Sequence, residues 1–156
     1  MQPITPCLWF DDKAEEAARF YTSILPNSKM GLVTHYGASG PRPKGTVLTV
    51  TFTLNGQEFM ALNGGPEFQH SPAVSFVVKC ETQDEIDRYW TKLSADKNAE
   101  QCGWVKDRFG VSWQIVPAIL DRLISDADPV RSDRVMAAVM KMKKLDIAEL
   151  KRAHAG

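Results

Sequence analysis

The stretch from Cys102 to Pro117, CGWVKDRFGVSWQIVP, gathers a thiol, a carboxylate, two hydroxyl or amide groups and two indoles around a strand-turn-strand pattern. Gln114 stands in an otherwise apolar run. A glutamate there could ligate a cation or move a proton. A neutral carboxamide instead donates and accepts hydrogen bonds, either to a ligand or to a buried neighbour. Cys102 acts as a nucleophile only as a thiolate, which needs a base or a cationic field, and Lys106 and Arg108 are the cations near it in sequence. The competing role is that of a small buried apolar side chain, and Cys7 faces the same choice. Asp107, within KDRFG, suits a tight turn through its own backbone contacts better than it suits acid-base work.

The three histidines do not make a metal set. His35 closes a predicted strand, His70 follows Phe68 in a loop and His154 lies near the C-terminus, so no two share a helical or strand spacing. His70 is the one whose loop, running toward Ala73, could fold over a binding site. Three cysteines, Cys7, Cys80 and Cys102, are an odd number without C-x-x-C spacing, which argues against a disulfide framework and a structural zinc site. A reducing cytoplasm is the expected location, and the N-terminus MQPITPCLWF shows no basic leader.

Nineteen basic and nineteen acidic residues cancel, so no global field steers the chain toward nucleic acid or an anionic membrane. No window reaches the ~20 apolar residues of a membrane span. With 156 residues and 44% hydrophobic content, one sizeable core forms without a disulfide or a metal. A single domain over residues 1–156 is the expectation.

The elements that must position these residues follow in order. Residues Ile4 to Phe10 read as an edge-type strand behind Pro3 and Pro6. Asp12 is the predicted N-cap of a helix over DKAEEAARFYTSIL, whose Ala14, Ala17, Ala18, Tyr21 and Leu25 recur at helical spacing. Strands follow from Met30 to Tyr36 and across TVLTVTFTLNGQEFMALNGGP, where Asn55-Gly56 marks a hairpin. A second round repeats the order: the strand AVSFVVKC, a helix capped near Thr82, then the hairpin described above. After Pro117, AILDRLISDADP and SDRVMAAVMKMKKLDIAELKRAH are helical, split by Pro129, with Val135, Val139 and Met142 on one stripe.

The segments FDDKAEEAARFY, ALNGGPEF and CGWVKDRFGVSWQIVP resemble the vicinal oxygen chelate superfamily, which includes glyoxalases, bleomycin-resistance proteins and dioxygenases. Within it the closest pattern is the PhnB-like branch carrying a 3-demethylubiquinone-9 3-methyltransferase domain. The resemblance spans Ile4 to Pro117 and implies an α+β fold of two βαβββ modules forming a curved, cup-shaped mixed sheet, here with a C-terminal helical tail. Module one then covers about 1–66, module two about 72–117 and the tail about 118–156. It also implies a bacterial, cytoplasmic protein that forms a homodimer, an arrangement in which the methionine-bearing tail stripe can pack against a partner chain.

In metal-dependent members, His or Glu at four cup positions hold a divalent ion. Carried over to this chain those positions are Thr5, Met60, Ala73 and Gln114, which include no carboxylate and no imidazole. No cofactor is therefore expected, and a divalent metal is disfavoured. Methyl transfer with a nucleotide-type donor calls for a glycine-rich strand-to-helix turn, whereas Gly64-Gly65-Pro66 leads into a strand region. The expected function is a small-molecule-binding protein or metal-independent enzyme, with Thr5, Cys7, Trp9, Met60, Ser75, Cys102, Ser112 and Gln114 lining the ligand cup. The alternatives are a metal-dependent lyase, isomerase or dioxygenase, and a drug-sequestering resistance-type protein.

Overall fold

The structure, a computed structural model, describes residues 4–156. The chain divides into two compact units, one ending at His70 and the other running Ser71–Gly156. The helical tail falls within the second unit.

The first unit runs β1 (Cys7–Phe10), α1 (Ala14–Ile24), β2 (Lys29–His35), β3 (Val47–Leu54) and β4 (Gln57–Asn63). Its sheet order is β1-β4-β3-β2, with β1 parallel to β4 and the other pairs antiparallel. Asn55 and Gly56 turn the chain between β3 and β4 at φ 47° and 81°, both positive as the shortest hairpins require. Alternation along the strands buries Leu8, Phe10, Val50, Phe52, Leu54, Phe59 and Ala61 on one face. Helix α1 covers that face with Ala14, Ala17, Ala18 and Tyr21; the three alanines let the helix sit close, and Tyr21 stacks on Phe52 at 6.3 Å between centroids.

Two local expectations for this unit change. Strand β1 begins at Cys7, not Ile4, because Pro6 has no N–H to give; its carbonyl still accepts the Met60 N–H at 2.9 Å. Asp12 does not cap α1. The cap position is Lys13, which makes no side-chain cap bond, and Asn63 at the end of β4 accepts the Ala14 N–H at 2.8 Å through Oδ1. A buried amide from the sheet thus satisfies the orphan helix donor that a local carboxylate was expected to meet.

The second unit runs β5 (Ser75–Cys80), α2 (Gln83–Leu93), β6 (Trp104–Lys106) and β7 (Ser112–Pro117), in sheet order β5-β7-β6 with β5 parallel to β7. Thr82 and Glu85 form a capping box at the start of α2. Ile86, Tyr89, Trp90 and Leu93 of α2 are buried, as are Val105, Trp113 and Ile115 of the sheet. Where the first unit has its second strand, this one has a short 3-10 turn, Lys97–Ala99. The segment still borders β6: Ala95 and Asp96 donate to the Lys106 carbonyl, and Gln101 bridges Trp104. Its composition, ADKNAE, favours turns over strand.

Three helices complete the unit: α3 (Leu120–Ile124), α4 (Pro129–Lys141) and α5 (Ile147–Ala155). Pro129 opens α4, and the long helical stretch after it breaks at 142–146, where Asp146 caps α5 by accepting the Glu149 N–H at 2.8 Å. Leu123, Val135, Val139, Leu145 and Leu150 form a buried cluster of their own. Gln83 of α2 pins the break from both sides, donating to the Leu145 carbonyl at 3.1 Å and accepting the Ile147 N–H at 2.9 Å. The Cys102 and Gly103 N–H groups donate to the Met142 and Lys143 carbonyls at 2.9 and 2.7 Å. At Gly103, φ is 86° and a Cβ would lie 3.0 Å from the Ile115 carbonyl oxygen, so glycine is required there. Val135 and Val139 are buried in the chain's own tail core and Met142 packs against it, whereas Met136 and Met140, like Val130, stay exposed. No helix among the described residues is long and apolar enough to cross a membrane.

Candidate functional site

Pleating leaves each sheet with one face turned away from its helix. In the first unit this open face carries rows set by the strand register. Cys7 lies opposite Met60, which lies opposite Thr51; Trp9 lies opposite Leu62, then Thr49 and Thr34. Thr5 sits just before β1 and donates to Glu58 Oε1 at 3.0 Å. The Thr34 and Thr49 hydroxyls meet at 2.6 Å, and Thr51 Oγ1 accepts the Leu32 N–H at 2.8 Å.

Trp9 is held in place by the residues of ALNGGPEF. Its indole N–H donates to the Gly65 carbonyl at 2.8 Å, and its ring meets Phe68 edge-on at 5.0 Å. A Cβ on Gly64 would lie 2.3 Å from the indole, so only glycine fits. Asn63 caps α1, donates to the Val47 carbonyl and, through its own carbonyl, accepts the Tyr36 hydroxyl at 2.6 Å. The motif thus fixes an indole at the border of the open face. His70 packs elsewhere, edge-on against the buried Phe10 at 5.2 Å. It therefore lies on the helix-covered side of its unit.

In the second unit the open face carries Ser75 opposite Ser112, and Val77 opposite Gln114, which lies opposite Trp104. Gln114 donates from Nε2 to Ser75 Oγ at 2.9 Å. A cavity of about 480 Å³ borders the face, walled by Pro72, Gln101, Cys102, Trp104, Lys106 and Ser112 among others. Lys106 pairs with Asp96 at 2.7 Å, and this hydrogen bond holds the Asp96 carboxyl below the usual range. Cys102 lies in the turn before β6, at φ 50°, where Sγ accepts from Gln101 Nε2 at 3.2 Å and lies 3.9 Å from Met140 Sδ.

Thr5, Cys7, Trp9 and Met60 thus share one surface, and Ser75, Ser112 and Gln114 share another, with Cys102 at the wall of the cavity beside it. Glu58, the threonine ladder, Trp104 and Lys106 complete these surfaces and were not anticipated. Their signal was alternation: Glu58 stands two residues before Met60, and Trp104 two before Lys106.

Desolvation raises the Cys7 thiol above its ordinary value. Burial, with Glu85 and Glu81 nearby, pushes Cys80 up to about 11. Neither thiol is tuned for nucleophilic work. Asp107 is buried and spends its carboxylate on structure: Oδ1 accepts the Phe109 and Val111 N–H groups at 2.8 and 3.0 Å, and Oδ2 accepts the Trp113 indole N–H at 2.8 Å. The turn reading of KDRFG holds.

The sequence profile of the 3-demethylubiquinone-9 3-methyltransferase family matches residues 2–116. The chain belongs to this family, the PhnB-like branch of the vicinal oxygen chelate superfamily. A PhnB protein from Bacillus cereus is 41% identical, with a TM-score of 0.64, over 75% of this chain and 100% of that one. A protein from Pseudomonas aeruginosa shares the fold at 20% identity and a TM-score of 0.56, over 74% of this chain and 96% of that one. A glyoxylase/bleomycin resistance protein/dioxygenase domain from Frankia is 18% identical with a TM-score of 0.42, over 72% of this chain and 89% of that one. No curated protein matches. Residues 117–156, which hold α3, α4 and α5, lie outside the family match.

Proposed function

We propose that this PhnB-like chain binds a small organic ligand at the open face of its second unit and works without a divalent metal. The observation that carries the proposal is the 480 Å³ cavity walled by Trp104, Lys106 and Ser112, whose strand partners Gln114 and Ser75 form a neutral hydrogen-bonded pair. That volume lies within the ~300–1,000 Å³ of small-molecule sites, and Trp104 with Lys106 and Ser112 supplies the usual mixture of apolar wall and few polar groups. Thr5, Cys7, Trp9 and Met60 offer a comparable mixture on the first unit's open face.

The metal of the superfamily's metal-dependent members finds poor donors at the corresponding positions. Thr5 gives its hydroxyl to Glu58, Gln114 turns an N–H toward Ser75, and Met60 and Ala73 bring a thioether and a methyl group. Glu58 adds a single carboxylate, fewer than the three or four ligands such an ion takes. Among the described residues no three His, Cys, Asp or Glu side chains gather around one point. Methyl transfer, the activity in the family's name, lacks a cradle for a nucleotide-type donor: Gly64 and Gly65 wrap Trp9 and open no helix. The free cysteines accord with a cytoplasmic protein, and a homodimer rests on the family and on the exposed Met136 and Met140 of α4.

Elemental analysis of purified protein, joined to thermal melts with zinc, nickel, manganese and a panel of small aromatic compounds, tests the reading. Metal content well below one per chain and no metal-induced shift are expected. An aromatic ligand at a hundred times its Kd stabilises the fold by about 2.7 kcal/mol, raising Tm by roughly 5–10 °C in a protein of this size. Stoichiometric metal lost on Gln114→Leu or Glu58→Gln would overturn the proposal and restore the metal-dependent lyase, isomerase or dioxygenase class. Tight capture of a bulky drug without turnover would select the sequestering role.

A further inference from the structure

The helices beyond the family match enclose a second cavity, remote in sequence from the open-face residues. It has a volume of about 240 Å³ and is lined by Ile119, Arg122, Leu123, Asp126, Lys151 and His154. Helical spacing explains the convergence. Ile119, Arg122, Leu123 and Asp126 follow one another at intervals of three, one and three residues through α3 and its C-terminal turn. Lys151 and His154 are three apart on α5, and so share one face of that helix.

The charges in this cleft do not cancel. Asp126 is its only carboxylate and is already engaged: Oδ1 accepts the Asp128 N–H at 2.9 Å, and Oδ2 lies 2.8 Å from His154 Nε2. These contacts, the Asp128 N–H first, hold the Asp126 carboxyl below its usual range. Arg122 and Lys151 make no ion pair among the described residues, so their two positive charges face the cleft uncompensated. The floor between them is apolar: Leu123 is buried in the tail core, and Ile119 packs against that core.

We infer that this cleft is a binding site for a small amphipathic carboxylate, its anionic group between Arg122 and Lys151 and its hydrocarbon part against Ile119 and Leu123. A guanidinium and an ammonium at the rim suit a carboxylate, the arginine through its two parallel N–H donors. Size narrows the class, because a cavity under the ~300 Å³ floor for drug-sized ligands admits one ring or a short chain. Inorganic phosphate has the charge but leaves the apolar floor exposed. Benzyl alcohol covers the floor but leaves the cations unpaired.

Benzoate is the probe, followed by ¹H–¹⁵N NMR titration of the full chain, with inorganic phosphate and benzyl alcohol as arms. Saturable benzoate binding is expected, with the largest shifts at Leu123, Asp126 and His154, and with both other probes at least about tenfold weaker. Arg122→Gln and Lys151→Gln should each weaken benzoate about tenfold, since each removes one charge-assisted contact. Both positions are exposed, and unchanged spectra elsewhere will show that the fold is retained. Trp104→Ala, in the separate cavity of the proposed function, should leave benzoate binding here unchanged. Binding that survives both cation substitutions, or that disappears with Trp104, overturns the inference. So does equal binding of phosphate, or no saturable benzoate binding at all.

Discussion

Replacing Asp107 should damage the second unit in proportion to the donors it strands. The carboxylate is buried and accepts three N–H groups, from Phe109, Val111 and the Trp113 indole, at 2.8, 3.0 and 2.8 Å. A buried donor left without its acceptor costs about 1–3 kcal/mol. Two of the three bonds, those from Val111 and Trp113, are fully buried, whereas the Phe109 N–H can reach water more easily. Asp107→Ala should therefore lose about 3–4 kcal/mol, the terms being less than additive within one turn. Asp107→Asn keeps an oxygen for the two backbone donors but sets an NH₂ against the Trp113 N–H, so about 1–2 kcal/mol should be lost. Urea unfolding reads these differences as midpoint shifts of roughly 1.5–2 M and 0.5–1 M at an m-value near 2 kcal/mol/M. The Trp113 indole resonance should move in both variants. An Asp107→Asn protein as stable as the parent, with that resonance unmoved, would refute the structural assignment and return Asp107 to the acid-base candidates.

Gly64→Ala places a methyl 2.3 Å from the Trp9 ring, so the indole must shift and release the Gly65 carbonyl, at about 1–3 kcal/mol in a thermal or urea melt. Asn63→Ala removes the cap of α1 together with the bond to Val47, and about 2 kcal/mol of stability should go with them. The Glu100 carboxyl is held below its ordinary value of 4.5, chiefly by the hydrogen bond from Lys97 and then by that from Ser94. Its folded pKa is depressed, so the stabilisation is complete above the ordinary value and fades as pH falls below it; the gap between parent and Glu100→Gln should be widest above the ordinary value and narrow as pH falls through the lowered folded value. With its thiol raised to about 11, Cys80 is only about 0.1% thiolate at pH 8, so peptide mapping after iodoacetamide should find Cys80 the last cysteine labelled.

Where local pattern and tertiary demand agree, the elements were readable. Asn55-Gly56, the alanine face of α1 and the Thr82–Glu85 capping box each carry their reason within a few residues of chain. What was missed depends on partners far away. Asp12 looked like a cap because nothing nearby announced that Asn63, about fifty residues on, supplies the acceptor. The stretch after Pro129 read as one helical run, and its break is fixed by Gln83, more than sixty residues earlier.

The candidate site divides along the same line. Alternation was enough to place Thr5, Cys7 and Trp9 on one face, since a strand's period assigns a face once the register is right, whereas Met60 and Gln114 were placed by the positions that the family resemblance implies. Cys102 obeyed no such rule, because a turn at φ 50° aims its thiol by backbone geometry and tail contacts. Gln114 is explained on the same terms. A glutamate facing Ser75 would set a charge on a half-buried strand that neighbours Trp104 and Val77, and that charge would need a cation to offset its desolvation. Glutamine keeps the hydrogen bond and avoids the charge. Gln114→Glu should therefore weaken the fold at neutral pH and restore it with added divalent metal only if other donors complete a cage. Thermal melts with and without zinc, manganese and nickel decide between a face built for neutral ligands and one that needs a single carboxylate to become a metal site. Lower stability that no metal repairs is the expected result, and repair by stoichiometric metal is the result that refutes it.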